Sequence, residues 1–312
     1  MTDILIVGSG AMALLFGARL ADSGHNVTLL GTWQEGIKAI NQTGIRIAGD
    51  QTRNSFPVRG ETDLSKIHPV KLALCLVKSW QTERAAKQLA QILDPEGIVL
   101  SLQNGIGNLE ILGESLGDNR AAQGVTTCGA TLVGPGVVRP GGEGIISVQA
   151  HPGLDPLIQS LRQAGFSVQE VEDLSGLIWS KLIINVAINP LTALLNVTNG
   201  QLLDSIYSKE LMSLAAREAG NVARAQELEL GFEDPASAAE AVEAATAENI
   251  SSMLQDIRRG APTEIESLCG AVVQAGRSVK LRTPVNEIMM LLIQAKESLM
   301  RIPENENSEH NY

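Results

Sequence analysis

Histidine, the side chain that most often moves protons near neutral pH, is nearly missing: the 312 residues contain four. His25 lies in a Gly24-His25-Asn26-Val27 turn. His68 and His151 each precede a proline, which biases them toward extended loops, and His310 falls in a polar terminal stretch. None sits in a setting that suggests an acid or a base. Cysteine is as scarce. Cys75, Cys128 and Cys269 are scattered and odd in number, so they offer neither metal spacing nor a disulfide framework, which suits a reducing cytoplasm. Positive charge is in deficit too. Lys and Arg number 24 against 35 Asp and Glu, a formal net charge of -11, which disfavours nucleic acid or an anionic membrane as the main partner. No basic leader with a long apolar core precedes the first strand, so no secretory signal is expected. No apolar run reaches the length of a membrane span, and no internal repeat is visible. What is present is an ordinary globular composition, 44% hydrophobic, long enough for two domains.

The first half reads as α/β. Residues 3–7 make a buried strand, Gly8-Ser9-Gly10-Ala11-Met12-Ala13 follows at once, and an apolar-periodic helix runs from Ala11 to about Ser23. A second strand covers Val27 to Leu30. This is a βαβ unit with a glycine fingerprint at its strand-to-helix turn, where dinucleotide phosphates bind. Gly8 permits the tight turn, Gly10 lets a pyrophosphate approach the backbone, and Ala13 stands for the third glycine. The helix N-terminus adds free N–H groups and partial positive charge. At the end of the second strand an acid would hold a ribose 2′-hydroxyl and an arginine would accommodate a 2′-phosphate. Thr32 stands there, with Glu35 and Lys38 further on, so NADP against NAD stays open. A short hairpin is expected within 44–59. Strands at 72–77 and 98–102 end in Lys78 and Asn104, at the rim where ligands bind an open sheet; a solvated lysine and a turn asparagine are the plainer readings. Strands at 121–127 and 144–149 flank a glycine-rich excursion, and a helix at 155–164 precedes a last strand at 167–171.

From Asp173 helical periodicity takes over. Within it, residues 179–199 are almost wholly apolar yet carry Lys181, Asn185 and Asn189 at steps of four. On a helix these fall within an arc of about 80°. A helix apolar nearly all round is buried, and buried polar groups are costly without partners. Either the row is satisfied inside a core, or it lines a cleft that a polar ligand enters, with Lys181 as its acid. Ser251 and Ser252 fall in the middle of another helical stretch, where serine is mildly unfavourable unless it bonds something. Glu264 follows Gly260 and Pro262 at a helix start, where an acid is also ordinary helix chemistry. The expected organisation is a Rossmann-type α/β dinucleotide-binding domain at 1–172, an all-helical substrate and catalytic domain at 173–302, and a disordered polar tail at 303–312.

The blocks GSGAMA (8–13), VKSWQT (77–82), QNGIG (103–107), WSKLIINVAINPLTALLNVTNG (179–200) and ENISSMLQDIRRGAPTEIE (248–266) together resemble the ketopantoate reductase family from Gly8 to about Met300. The resemblance implies reduction of a 2-oxo acid to a 2-hydroxy acid, most specifically ketopantoate to pantoate, by NADPH. It implies that Lys181 donates the proton to the ketone oxygen and that Glu264 contacts substrate and cofactor. Asn185, Asn189, Asn199 and Ser252 fall on substrate-binding positions. Lys78 and Asn104 match cofactor-side residues, and Ala130 falls on a backbone contact to the cofactor. Thr32 departs from the pattern, because well-known members carry arginine there.

The physics agrees with that chemistry. With histidine discounted, Lys181 is the best-placed acid; apolar burial would lower its pKa and Glu264 would raise it. A related dehydrogenase for another oxo acid, and a dinucleotide sensor without turnover, are the competing readings. A homodimer is among the expectations, with no partner other than the small-molecule substrate.

Overall fold

The computed structural model describes residues 1–49 and 55–300. Two compact units emerge. The first comprises 1–103 and 107–174, and the second comprises 104–106 together with the chain from 175 on. A boundary drawn at residue 172 does not anticipate the three-residue segment Asn104–Ile106, which packs with the helical unit.

In chain order the first unit contains β1 (Asp3–Val7), α1 (Ala11–Asp22), β2 (Asn26–Leu30), α2 (Gln34–Thr43), β3 (Arg46–Ile47), β4 (Arg59–Glu61), β5 (Val70–Cys75) and α3 (Thr82–Ile92). It continues with β6 (Leu93–Ser101), α4 (Asn108–Leu116), β7 (Ala121–Thr126), β8 (Ala130–Gly134), β9 (Val137–Pro140), β10 (Ile145–Gln149), α5 (Asp155–Gln163) and β11 (Ser167–Val171). Eight strands form one sheet in the order β11-β10-β7-β6-β5-β1-β2-β4. All neighbours are parallel except β10 and β7. The central strands are dry on both faces: Ile4, Leu5, Ile6 and Val7 of β1 are each 1% exposed or less, as a sheet covered on both sides requires. The chain runs outward from β1 to β2 and later returns to β5 on the other side of β1. That reversal opens a crevice beyond the carboxyl ends of β1 and β5, where open α/β sheets bind ligands.

Two stretches take a more specific form than their sequence shows. Among the described residues of 44–59 the two arms meet in an antiparallel Ile45–Phe56 bridge, with hydrogen bonds in both directions at 2.8 Å, while β3 pairs with β9 and β4 with β2. Positions 50–54 of that stretch lie outside the described residues. The glycine-rich excursion is itself structured. Its β8 and β9 are antiparallel and, with β3, form a second small sheet. Gly136, at φ +69, makes the turn between them, and β9 buries Val138 completely.

The second unit is helical throughout its described residues. Its elements are α6 (Ser175–Leu195), α7 (Ile206–Ala225), α8 (Pro235–Ala245), α9 (Ser252–Arg258), α10 (Ala271–Ser278) and α11 (Pro284–Met300), with a π-helical turn at Glu266–Gly270. Helix α6 is its axis, packed against α7, α8, α9 and α11. Every residue from Val186 to Ala193 is buried. At 21 residues α6 is also long and apolar enough to cross a membrane by composition, which the reading of apolar runs does not anticipate. Its most apolar window is 61% buried inside the protein, as in a core helix. The expected disordered tail at 303–312 lies outside the described residues.

Candidate active site

In the first unit the glycine turn is built as a phosphate cradle. Gly8 has φ +137, and a Cβ there would meet the Leu76 carbonyl oxygen at 2.9 Å, so both backbone shape and space demand glycine. The neighbouring Gly10 is different. It is the N-cap of α1, it is exposed, and a Cβ there would meet nothing within 4 Å. No side chain caps α1 and its first turn has no acid. The leading N–H groups of the helix therefore face an open space suited to an anion. Ser9, Ala11 and Met12 are half-buried around this space and Ala13 is buried beneath it. The strand ends are zipped together: Gly8 donates its N–H to Leu30 O (2.8 Å), Leu76 to Val7 O (2.9 Å) and Leu102 to Cys75 O (3.3 Å). Thr32 is exposed just past β2, Lys78 is half-buried just past β5, and Ala130 opens β8, paired with Pro140. The cradle fits a dinucleotide pyrophosphate, and Thr32 presents neither an acid nor a cation where its ribose would lie.

In the second unit the α6 row is graded. Lys181 and Asn185 are half-buried, whereas Asn189 is 7% exposed. Four residues along the helix advance about 6 Å, so the row descends from an accessible lysine to a buried amide. The start of α6 is held by close backbone packing. Ser180 Oγ donates to Gly176 O (2.7 Å) and accepts from the Gly231 N–H (2.9 Å). A Cβ on Gly176 would lie 1.9 Å from Glu229 O. Pro190 lies inside the helix, where it removes the hydrogen bond that residue 190 would give to Val186 O.

The two serines are not mid-helix; they begin α9. Ser251 is its N-cap, accepting the Leu254 N–H at 3.1 Å, because a serine satisfies an orphan donor best there. Thr192 of α6 reaches Ser251 Oγ at 2.6 Å in a fully buried contact. This fixes the first turn of α9 to α6 and leaves Ser252 half-buried beside it. Glu264 is 5% exposed and precedes the π-helical turn, a distortion frequent at functional sites. Asn104 donates through Nδ2 to Glu264 Oε2 at 3.4 Å. Gly105 at φ +84 and the Ile106 N–H on Ser267 O (3.3 Å) anchor the same segment. Asn199 is turned toward the start of the α9 loop: its N–H donates to Asn249 O (2.9 Å) and its Nδ2 to Thr246 Oγ1 (2.9 Å). Its Oδ1 is buried without a partner among the described residues.

Asn104, Lys181, Asn185, Asn189, Asn199, Ser252 and Glu264 lie in the helical unit, where Asn104 and Glu264 meet, and Gly8–Ala13, Thr32, Lys78 and Ala130 lie in the sheet unit. Sequence reading names Ser251 but places it in mid-helix, and it gives no role to Thr192 or Gln103, which hold candidates in place. Only the serine before an apolar run carried a local signal.

Comparison with known proteins agrees with both halves. The chain matches the family described as ketopantoate reductase PanE/ApbA over residues 4–153 and its C-terminal domain over residues 173–297. A 2-dehydropantoate 2-reductase of Pyrococcus horikoshii is 35% identical over 301 residues, covering 95% of this chain and 98% of that protein. The crystal structure of a PanE/ApbA family ketopantoate reductase from Ralstonia eutropha is 30% identical with a TM-score of 0.88, covering 96% of this chain and all of that one. A D-mandelate dehydrogenase solved with NADH and anilino(oxo)acetate is 25% identical with a TM-score of 0.89, over the same shares. With a glycine cradle in one unit, a lysine–asparagine row in the other, and matches that span both, this chain belongs to the ketopantoate reductase PanE/ApbA family.

Proposed function

We propose that this protein reduces ketopantoate (2-dehydropantoate) to pantoate with NADPH, in the cytoplasm, with neither nucleic acid nor membrane as partner. The family is one of nicotinamide-dinucleotide-dependent reductases of small oxo acids. The observation that carries the reading is the graded row on α6, a half-buried lysine leading to a buried amide, within a chain related to such reductases from end to end.

Residues 1–172 hold the cofactor and residues 173–302 hold the substrate. Gly8 to Ala13 and the start of α1 bind the pyrophosphate, with Thr32, Lys78, Asn104 and the Ala130 backbone as further cofactor contacts. When bound, the dihydronicotinamide supplies a hydride to the 2-oxo carbon. Lys181 donates a proton from Nζ as charge develops on the ketone oxygen. Asn185, Asn189, Asn199 and Ser252 bind the oxygens of the substrate without adding charge. Glu264, held by Asn104, contacts the substrate and the cofactor.

NADH is the second reading, favoured by Thr32, which provides no cation for a 2′-phosphate, and by the NADH-bound relative. The test is a panel of 2-oxo acids run with both dinucleotides. The proposal expects ketopantoate with NADPH to give the highest kcat/KM. Equal or better turnover with NADH overturns the cofactor assignment, a better acid overturns the substrate, and dinucleotide binding without oxidation would leave a sensor.

A homodimer belongs to the same reading. Helix α11 buries Asn286, Met289 and Ile293 on one face and exposes Ile288, Leu291, Leu292 and Leu299 on the other, next to exposed Tyr207, Leu211 and Leu214 of α7. A two-fold axis would set this stripe against its own copy. A monomer by analytical ultracentrifugation would remove this part.

A further inference from the structure

The block 103–107 contributes Asn104 to the proposed site, but its first residue has no role so far. Gln103 is 8% exposed and its carboxamide is completely used. Its Oε1 accepts from Ser101 Oγ (2.9 Å), and its Nε2 donates to Val77 O (3.0 Å) and Thr82 Oγ1 (2.7 Å). Thr82, fully buried, faces Ser79 O and Asn108 Oδ1, both at 2.8 Å, with one hydroxyl proton to share between them. The carbonyl before Lys78 is therefore held by Gln103. The carbonyl after it is held by Thr82, which Gln103 holds in turn. The Lys78 carbonyl itself accepts from the Gln81 N–H at 2.8 Å. All of these partners belong to the sheet unit.

A long lysine side chain is a flexible point charge whose aim is set by its backbone. The clasp thus holds the loop from Val77 to Gln81 on both sides of Lys78, in addition to the loop's own Gln81 N–H bond to Lys78 O. Apolar side chains could have filled this dry space; a glutamine with both donors and its acceptor engaged fixes geometry that packing alone leaves free.

We propose that Gln103, through Val77 and Thr82, is a positioning residue that aims Lys78 at the bound dinucleotide. It touches neither cofactor nor substrate and acts through Lys78. The inference rests on the reading of Lys78 as a cofactor-side residue. Gln103→Glu keeps the shape, removes both donors and sets a carboxylate oxygen against Val77 O. Thr82→Val keeps the shape and removes the hydroxyl, and Thr82→Ser restores it.

The measurement is the NADPH and NADH dissociation constants of the full chain, by nicotinamide fluorescence, beside the oxo acid KM at saturating dinucleotide. Gln103→Glu is expected to weaken dinucleotide binding roughly tenfold or more and to leave the oxo acid KM within about threefold. Thr82→Val should weaken binding by a smaller factor and Thr82→Ser should behave as wild type. In a Lys78→Ala background, Gln103→Glu and Thr82→Val should each add nothing further, because coupled residues are not additive. If Gln103→Glu does not fold, the Thr82 pair carries the same decision. Unchanged dissociation constants in folded Gln103→Glu or Thr82→Val overturn the proposal while the cofactor reading stands, and so do full losses that persist without Lys78. A wild-type chain that binds neither dinucleotide overturns the cofactor reading itself, and this inference with it.

Discussion

The glycine turn after β1 and the polar row on α6 are both binding surfaces, but they are made from opposite materials. The turn works by having almost no side chains. Its chemistry is the N–H groups at the start of α1, and its specificity for glycine arises where a Cβ would collide with Leu76 O or would fill the cradle. The row works by having side chains where none should be comfortable. A lysine and two amides stand on a helix whose next turns are wholly buried, and they are tolerable only because something holds the helix and something meets the polar groups. A backbone site is therefore sensitive to added atoms, whereas a side-chain site is sensitive to lost ones and to its supports.

The sharpest way to break the contrast is Lys181→Met. General acid catalysis contributes about 10²–10⁴-fold, so kcat should fall by roughly that factor, while the NADPH dissociation constant stays near wild type. Near-normal turnover would return Lys181 to the role of a paired core cation.

The next comparison sets the two glycines of the turn, Gly8 and Gly10, against each other. Gly8→Ala adds a methyl group at φ +137 against backbone, and should lower stability by several kcal/mol, on the order of 2–4. Gly10→Ala meets only open space in the protein and should keep its melting temperature, yet weaken dinucleotide binding about tenfold or more. If both variants lose only stability, the cradle is not a phosphate site.

The supports of the row give a smaller effect. Ser251→Ala removes the cap of α9 and the partner of Thr192, at a cost of about 1–2 kcal/mol. The oxo acid KM should rise a few-fold as Ser252 loosens, with dinucleotide affinity unchanged. A cap that is merely structural would lower the melting temperature and leave that KM alone.

The smallest effect comes from Glu243, which is completely buried in α8 with both oxygens unpartnered among the described residues. Burial, then the nearby Glu240, push its carboxyl up to about 7 from 4.5, against the pull of Lys209. A raised folded-state pKa means that folding favours the protonated form. That stabilisation is complete below pH 4.5 and is lost as pH rises through 7. Between pH 5 and pH 8 the melting temperature should fall by a few degrees, and Glu243→Gln should flatten that part of the profile. A variant with the same slope as wild type would assign the dependence to other groups.

How much of this was legible depended on the range of the interaction. The βαβ turn could be read because strand, glycine and helix are adjacent in sequence, and the α6 row could be read because its spacing is the period of the helix itself. The hairpin of β8 and β9 is local, but the pairing of β9 with β3, which completes the small sheet, reaches some ninety residues back and leaves no signal in adjacent residues. The serines at 251 and 252 were misjudged for the same reason. Helical periodicity ran through them, and only the contact with Thr192, 59 residues away, shows why the helix starts there.

By itself, then, the amino-acid order determined the fold class, the cradle and the identity of the proton donor candidate, because local periodicity and local backbone strain are written in adjacent residues. The tertiary structure alone decided that Asn104 meets Glu264 across 160 positions, that Gln103 holds the Val77 carbonyl and the Thr82 hydroxyl beside Lys78, and that Glu243 is sealed from water. Those are contacts between polar atoms far apart in the chain. Their energies depend on distance and desolvation, neither of which has any period along a sequence.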